Sequence, residues 1–143
     1  MFNRSARPKR ILIVDDESTL VFFLQQGIQE AKTTYTVEVA SSGEDALTKL
    51  TYQEFDLVVT DLKMPGISGF TLIETARSLH PEIKTVVMTA FGSRQVEDEI
   101  QNLAIDGYLN KPFPTADLIA LIQNILSTEN NVAPDLITSQ TNT

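Results

Sequence analysis

Short apolar runs alternate along this chain with longer segments in which apolar residues recur at helical spacing. Ile11 to Val14 (ILIV) is apolar on both faces and ends at two aspartates. Short apolar runs bounded by polar residues are typical of buried strands. Similar runs predict strands at 55–60 (FDLVVT), 85–88 (TVVM) and 108–109 (YL), and the alternation of YTVEVA predicts one at 35–40.

Between and after these strands, apolar residues three or four positions apart predict five helices. The residues expected on their inward faces are Leu20, Phe23, Leu24 and Ile28; Ala46, Leu47 and Leu50; Leu72, Ile73, Ala76 and Leu79; Val96, Ile100 and Leu103; and Leu118, Leu121, Ile122 and Ile125. Ser42 begins an S-x-x-D capping signal for the second helix. Gly27 disfavours the C-terminal half of the first helix.

Five strand–helix units in strict alternation predict an α/β fold, a (βα)5 doubly wound parallel sheet with helices on both faces. The nearly continuous apolar character of strands one, three and four places them at the centre of the sheet. Five units are too few for the eight-stranded closed barrel, so we expect an open sheet. The domain is expected over residues 9–127, between a basic arm at 1–8 and a disordered tail or linker stub at 128–143.

Composition and charge narrow the class of protein. The 143 residues include no cysteine, which excludes disulfide frameworks, iron–sulfur clusters and thiol nucleophiles. The net charge is −8, and from residue 11 onward seven basic residues stand against nineteen acidic ones. Such an acidic domain repels nucleic-acid backbones, so we expect no direct nucleic-acid binding. No apolar run approaches the ~18 residues of a membrane span, so we expect no membrane partner and a cytoplasmic location.

Polar side chains end four of the predicted strands. Strand one ends in Asp15 and Asp16, strand three in Asp61, strand four in Thr89 and strand five in Lys111. The carboxyl ends of parallel strands share one edge of the sheet, where ligands of open α/β folds bind. Three neighbouring carboxylates repel one another at pH 7 unless a cation joins them, and their oxygen ligands suit Mg²⁺, with Mn²⁺ as an alternative.

A metal, a carboxylate, a hydroxyl and an ammonium group together are suited to phosphoryl transfer, which depends on positioning and charge neutralisation. Asp61 is the best candidate for the attacking nucleophile, because it ends a central strand. In this reading Lys111 neutralises the phosphoryl oxygens and Thr89 donates a hydrogen bond to them.

These residues lie in motifs that resemble a known family. The segments ILIVDDE, LVVTDLKMPGISG, VVMTAFG and YLNKPF resemble the receiver domains of two-component response regulators, the CheY-like proteins. The resemblance implies that Asp61 accepts a phosphoryl group from a sensor histidine kinase or phosphotransfer protein. It implies that Asp15, Asp16, Asp61 and the Lys63 backbone carbonyl hold Mg²⁺. It also implies a cis Lys111–Pro112 bond and the strand order 2-1-3-4-5.

The resemblance extends to signalling. Tyr108 matches the switch aromatic of the family, whose ring turns inward when Thr89 moves toward the phosphoryl group. Lys63 and Phe91 flank the phosphoryl site, and we expect them to slow loss of the phosphoryl group. The last helix has a wide apolar stripe that includes Ile119 and Leu126. That stripe fits either a well-buried terminal helix or, with helix four and strand five, a face for a homodimer, a downstream target or an output domain.

Three other interpretations stay open on the residues alone. A haloacid-dehalogenase-type phosphatase needs Asp-x-Asp after strand one, whereas this chain has Asp15-Asp16-Glu17. A flavodoxin-like FMN protein needs a phosphate-binding loop there, where two aspartates would repel phosphate. A receiver that no longer phosphorylates would not need all the key residues, which this chain retains. We therefore expect a signalling domain that catalyses only its own phosphorylation and dephosphorylation.

Overall fold

Five strands and five helices alternate in the computed structural model, which describes residues 7–32, 34–90 and 94–130, without the side chains of 94, 95 and 128–130. The elements are β1 (Arg10–Val14), α1 (Ser18–Ala31), β2 (Thr36–Ala40), α2 (Gly43–Tyr52), β3 (Leu57–Asp61), α3 (Gly69–Leu79), β4 (Lys84–Thr89), α4 (Arg94–Leu103), β5 (Gly107–Asn110) and α5 (Thr115–Asn130). All strand pairs are parallel and the order is β2-β1-β3-β4-β5. The predicted fold class, strand order and central strands are confirmed.

Successive side chains of each strand point alternately to the two faces of the sheet. Ile11 and Ile13 of β1 pack with α1 and α5, whereas Leu12 and Val14 pack with α2 and α3. Val87 of β4 packs in a third cluster with α3 and α4. Each central strand is therefore buried on both sides, which explains why its sequence is apolar throughout rather than alternating.

Single residues explain the start of α2 and the close packing of α1 against α5. The Ser42 hydroxyl accepts a hydrogen bond from the Asp45 amide at 3.0 Å, so the predicted cap of α2 is confirmed. Helix α1 continues through Gly27 to Ala31, although glycine disfavours a helix interior. A Cβ at Gly27 would lie 2.8 Å from Cγ2 of Thr115 in α5, so glycine allows the two helices to pack closely.

Two residues predicted to face the core are instead exposed. Phe23 is 61% exposed, because α1 buries Val21, Leu24 and Ile28 and Phe23 lies roughly 130° around the helix from that stripe. Leu79, the last residue of α3, is 44% exposed. The expectation was wrong for Phe23 because spacing alone does not fix the axis of the buried face, and for Leu79 because spacing does not show where along a helix the core stops covering it.

The last helix, α5, extends beyond the expected end of the domain and packs most of its apolar stripe against the core. It continues to Asn130, three residues past the expected boundary at 127. Leu118, Ile122 and Leu126 are buried, and Ile119, Leu121 and Ile125 pack against the same core. The wide stripe is therefore largely core surface, the first of its two readings. No helix among the described residues is long and apolar enough to cross a membrane.

Candidate functional site

Three carboxylates meet at the carboxyl edge of the sheet. Asp15 directly follows β1 and Asp61 is the last residue of the adjacent strand β3, with Val14 of β1 in register with Thr60. One oxygen each of Asp15, Asp16 and Asp61 lies within 4.8 Å of the others. Asp15 and Asp61 are buried, whereas Asp16 is exposed. The predicted acidic cluster is thus assembled by the parallel topology.

Lys111 is the cation that faces this cluster. Its Nζ donates hydrogen bonds to Asp15 Oδ2 at 2.6 Å, Asp61 Oδ2 at 2.9 Å and Glu17 Oε1 at 3.1 Å. The ammonium group therefore uses its three N–H donors on three carboxylates. The ammonium group therefore offsets part of the repulsion among the carboxylates, for which the sequence analysis invoked a metal ion alone.

Burial and pairing act in opposite directions on these groups. Burial raises the pKa of Asp15, and the hydrogen bonds from Lys111 and from the Glu17 amide oppose the rise without cancelling it. Burial alone would lower the pKa of Lys111, but its hydrogen bonds to Asp15 and Asp61 outweigh that effect and hold the pKa above its usual value. Lys111 is therefore a permanent positive charge at neutral pH.

The backbone around Asp61 is held by close contacts. The Lys63 amide donates to Asp61 Oδ1 at 3.3 Å, while the Lys63 side chain is exposed beside the site. Gly69 donates from its amide to the Leu62 carbonyl at 2.9 Å. A Cβ at Gly69 would lie 2.1 Å from the Asp61 carbonyl oxygen, so only glycine fits there without displacing β3.

Thr89 and Tyr108 lie on the two strands beyond β3. Thr89 ends β4 with its side chain buried, and its carbonyl accepts a hydrogen bond from the Lys111 amide at 2.8 Å. Tyr108 is half-buried on β5, and its hydroxyl donates to Asn110 Oδ1 at 2.6 Å. Burial, together with the negative charge of Glu97, raises the pKa of the Tyr108 hydroxyl.

Most of the predicted site residues fall within the described chain. Phe91 is the exception and lies outside the described residues. The Lys111–Pro112 bond is cis, as the resemblance implied. Glu17 is a site residue that sequence reasoning did not select. Its only signal was its place directly after the acidic pair, in a position that also reads as a helix start.

Comparisons with known proteins agree with this geometry. The family model described as the response regulator receiver domain matches residues 11–123. The transcriptional regulatory protein PcoR of Escherichia coli is 30% identical over 132 residues, covering 91% of this chain and 57% of PcoR. The transcriptional activator protein IrlR of Burkholderia pseudomallei is 32% identical over 119 residues, covering 82% of this chain and 50% of IrlR. The chain thus spans about half the length of these curated relatives.

Two solved structures match the chain over nearly the whole of their own length. A CheY-like response regulator receiver domain protein from Methanospirillum hungatei is 30% identical with a TM-score of 0.81, covering 88% of this chain and 99% of that one. The chemotaxis protein CheY4 of Vibrio cholerae is 28% identical with a TM-score of 0.75, covering 82% and 98%. Receiver domains are signalling domains rather than classical enzymes. The chain belongs to the response regulator receiver domain family of two-component signalling systems.

Proposed function

We propose that this chain is a phosphorylation-driven switch in which Asp61 accepts a phosphoryl group from the phosphohistidine of a sensor histidine kinase or phosphotransfer protein. The observation that carries the proposal is the environment of Asp61. Its carboxylate ends a central strand, neighbours Asp15 and Asp16, and lies 2.9 Å from the Lys111 ammonium. That arrangement fits a nucleophile flanked by the charges that phosphoryl transfer requires.

In the proposed reaction, a carboxylate oxygen of Asp61 forms a bond to phosphorus as the P–N bond of the phosphohistidine breaks. The electron pair of that bond stays on the imidazole nitrogen, which takes a proton from water. Lys111 would turn from the Asp61 carboxylate to the transferred phosphoryl oxygens, and Thr89 would donate a hydrogen bond to them from the end of β4. Hydrolysis of the resulting acyl phosphate by water would reset the switch.

The acidic cluster fits a divalent cation. Carboxylate oxygens are hard ligands, and Mg²⁺ prefers such ligands together with water and phosphoryl oxygens. Asp15, Asp16, Asp61 and the Lys63 carbonyl would hold Mg²⁺, or Mn²⁺ in its place. Bound there, the ion would neutralise charge on the phosphoryl oxygens.

The output would pass through α4, β5 and α5. Thr89 and Tyr108 would form the switch, with the Tyr108 ring leaving its contact with Asn110 as Thr89 moves toward the phosphoryl group. The recipient would be a downstream protein or an output domain, and a homodimer through α4 and α5 stays a prediction. Lys63 and Phe91 would lengthen the life of the phosphorylated state by hindering water.

The receiver unit would comprise residues 9–127 and would act in the cytoplasm. An arm at 1–8 would precede it and a tail at 128–143 would follow it, and the first residues of that tail belong to α5. The family match and the two curated transcriptional regulators support a role upstream of an effector.

Intact-mass spectrometry tests the proposed function. The chain is incubated with acetyl phosphate, with Mg²⁺ or with EDTA, and compared with the Asp61→Asn variant. We expect one added phosphoryl group on the wild type in Mg²⁺ and none in EDTA or on the variant. Equal labelling of Asp61→Asn would contradict the proposal. Far-UV circular dichroism of the variant verifies that it is folded.

A further inference from the structure

The segment between β3 and α3 carries one of the proposed metal ligands. Residues 62–68 connect Asp61, the last residue of β3, to Gly69, the first residue of α3. Lys63, whose backbone carbonyl is the proposed ligand, lies in this segment and donates from its amide to Asp61 Oδ1 at 3.3 Å. The position of the Lys63 carbonyl therefore depends on the contacts that hold residues 62–68.

Apolar packing holds only the first half of the segment. Leu62 is buried in the cluster that includes Ile73 of α3, and Met64 is buried in the cluster that includes Ala46 of α2. Residues 65–68 are exposed or half-buried instead. The second half of the segment therefore depends on other contacts to keep its position.

The start of α2 supplies these contacts. Glu44 lies in the first turn of α2, and its Oε2 accepts a hydrogen bond from the Ile67 amide at 3.3 Å. The same carboxylate lies against Gly66, which has a φ of 81° and where a Cβ would come within 2.5 Å of Oε2. A Cβ at Gly43 would lie 2.7 Å from the Ile67 carbonyl oxygen. Glycine at these two positions thus allows the segment to lie directly against the helix start.

Glu44 is separate from the carboxylates that would bind the ion. Among the described residues, the acidic cluster within 4.8 Å comprises Asp15, Asp16 and Asp61 and does not include Glu44. Glu44 can therefore act on the metal site only through the segment that it holds or through its charge at longer range. Contacts that hold a metal ligand in place raise metal affinity, because less chain has to be ordered when the ion binds.

We propose that Glu44 is a positioning residue of the metal site, because its hydrogen bond to the Ile67 amide holds the segment that carries the Lys63 carbonyl. The inference rests on the proposed function, which assigns Mg²⁺ to this site, and deepens it by adding a residue that is not itself a ligand. A change at the start of α2 would then alter the affinity for Mg²⁺ without altering any ligand.

An NMR titration of the unphosphorylated, ¹⁵N-labelled chain with magnesium chloride tests the proposal. Glu44→Ala removes the acceptor and should raise the Kd for Mg²⁺ about fivefold, less than the roughly 10–100-fold typical of groups that hold a ligand directly. Glu44→Gln keeps an oxygen that can accept from the Ile67 amide. Its Kd should stay within about twofold of the wild type at physiological ionic strength, where the lost charge is screened.

The comparison of the two variants separates the hydrogen bond from the charge. Equal weakening by Glu44→Ala and Glu44→Gln would reduce the effect to charge and overturn the proposal. Glu74→Ala removes an exposed carboxylate from α3 and should leave the Kd unchanged. Exchange of the Ile67 amide with water should be faster in Glu44→Ala than in Glu44→Gln, and equal exchange would also count against the proposal. Far-UV circular dichroism verifies that each variant is folded.

The possible results distinguish this proposal from the function on which it rests. A wild-type chain without saturable shifts at Asp15, Asp16 and Asp61 would overturn the metal site and this inference with it. Saturable binding with the same Kd in the wild type and Glu44→Ala would overturn this inference alone. The mass assay reports phosphorylation of Asp61 separately, and its result does not enter the titration.

Discussion

The ion pairs of Lys111 with Asp15, Asp61 and Glu17 should contribute measurably to the free energy of unfolding. Lys111→Met keeps most of the length of the side chain and removes its charge, so the fully buried Asp15 loses the ammonium group that lies 2.6 Å from its Oδ2. Removing one partner of a buried pair costs about 3–5 kcal/mol. Asp15 can limit the loss by taking up a proton, which from its ordinary pKa of 3.8 costs about 4 kcal/mol at pH 7.

We therefore expect Lys111→Met to lose about 3–4 kcal/mol of unfolding free energy at pH 7 in EDTA. With a urea m-value of about 2 kcal/mol/M, the unfolding midpoint should fall by about 1.5–2 M. The chain has no tryptophan, so far-UV circular dichroism is the suitable signal. Adding Mg²⁺ should recover part of the loss, because a bound cation replaces the missing charge and binds only the folded state.

The pH dependence follows from the sign of the Asp15 shift. Folding raises the pKa of Asp15, so its protonated form favours the folded state and its ionised form opposes it. The deficit of Lys111→Met should therefore be largest at neutral pH and shrink as the pH falls toward 3.8. Adding Asp15→Asn to Lys111→Met should restore most of the loss at pH 7.

A matched control is available on the surface. Lys49 Nζ lies 3.7 Å from Glu38 Oε1, and 29% of the lysine side chain is exposed. Lys49→Met should therefore change the free energy of unfolding by about 0.5 kcal/mol or less. A Lys111→Met variant as stable as Lys49→Met in EDTA would refute the reasoning. So would a failure of Asp15→Asn to restore the double variant.

Three further substitutions have defined outcomes. Glu17→Gln removes an exposed carboxylate 3.1 Å from the Lys111 ammonium and should speed phosphorylation by acetyl phosphate about 2–5-fold, an effect that high salt should abolish in a stopped-time mass assay. Gly69→Ala forces a Cβ against the Asp61 carbonyl and should cost about 1–3 kcal/mol in urea unfolding while slowing phosphorylation; unchanged values for both would contradict the crowding. Ala104 has a φ of 56°, so Ala104→Gly should gain about 0.5–1 kcal/mol in the same unfolding assay, and a loss would show that this strain is absent.

The site residues at strand ends could be predicted from sequence for a physical reason. In a parallel sheet all carboxyl ends share one edge, so the alternation of strands and helices places Asp15, Asp61 and Lys111 at the same edge. The order of strands and helices could be predicted because the strands are short apolar runs. The grouping of Asp15, Asp16 and Asp61 needed no knowledge of side-chain conformation.

Features that depend on side-chain direction could not be predicted. The contact between Glu17 and Lys111 joins residues 94 positions apart and depends on how the β5–α5 loop aims the lysine. Helical spacing could not show that Phe23 points to solvent, because a stripe of apolar residues fits more than one buried axis. The extension of α5 beyond residue 127 was missed because polar residues such as those at 127–130 tolerate a helix without favouring one.

The identity of the phosphorylated residue tests the central claim most directly. Sodium borohydride reduces an aspartyl phosphate to homoserine, which tandem mass spectrometry locates in the sequence. After incubation of the wild-type chain with acetyl phosphate and Mg²⁺, homoserine should replace aspartate at position 61 and at neither Asp15 nor Asp16. Homoserine at Asp15 or Asp16, or none at 61, would contradict the claim that Asp61 is the acceptor.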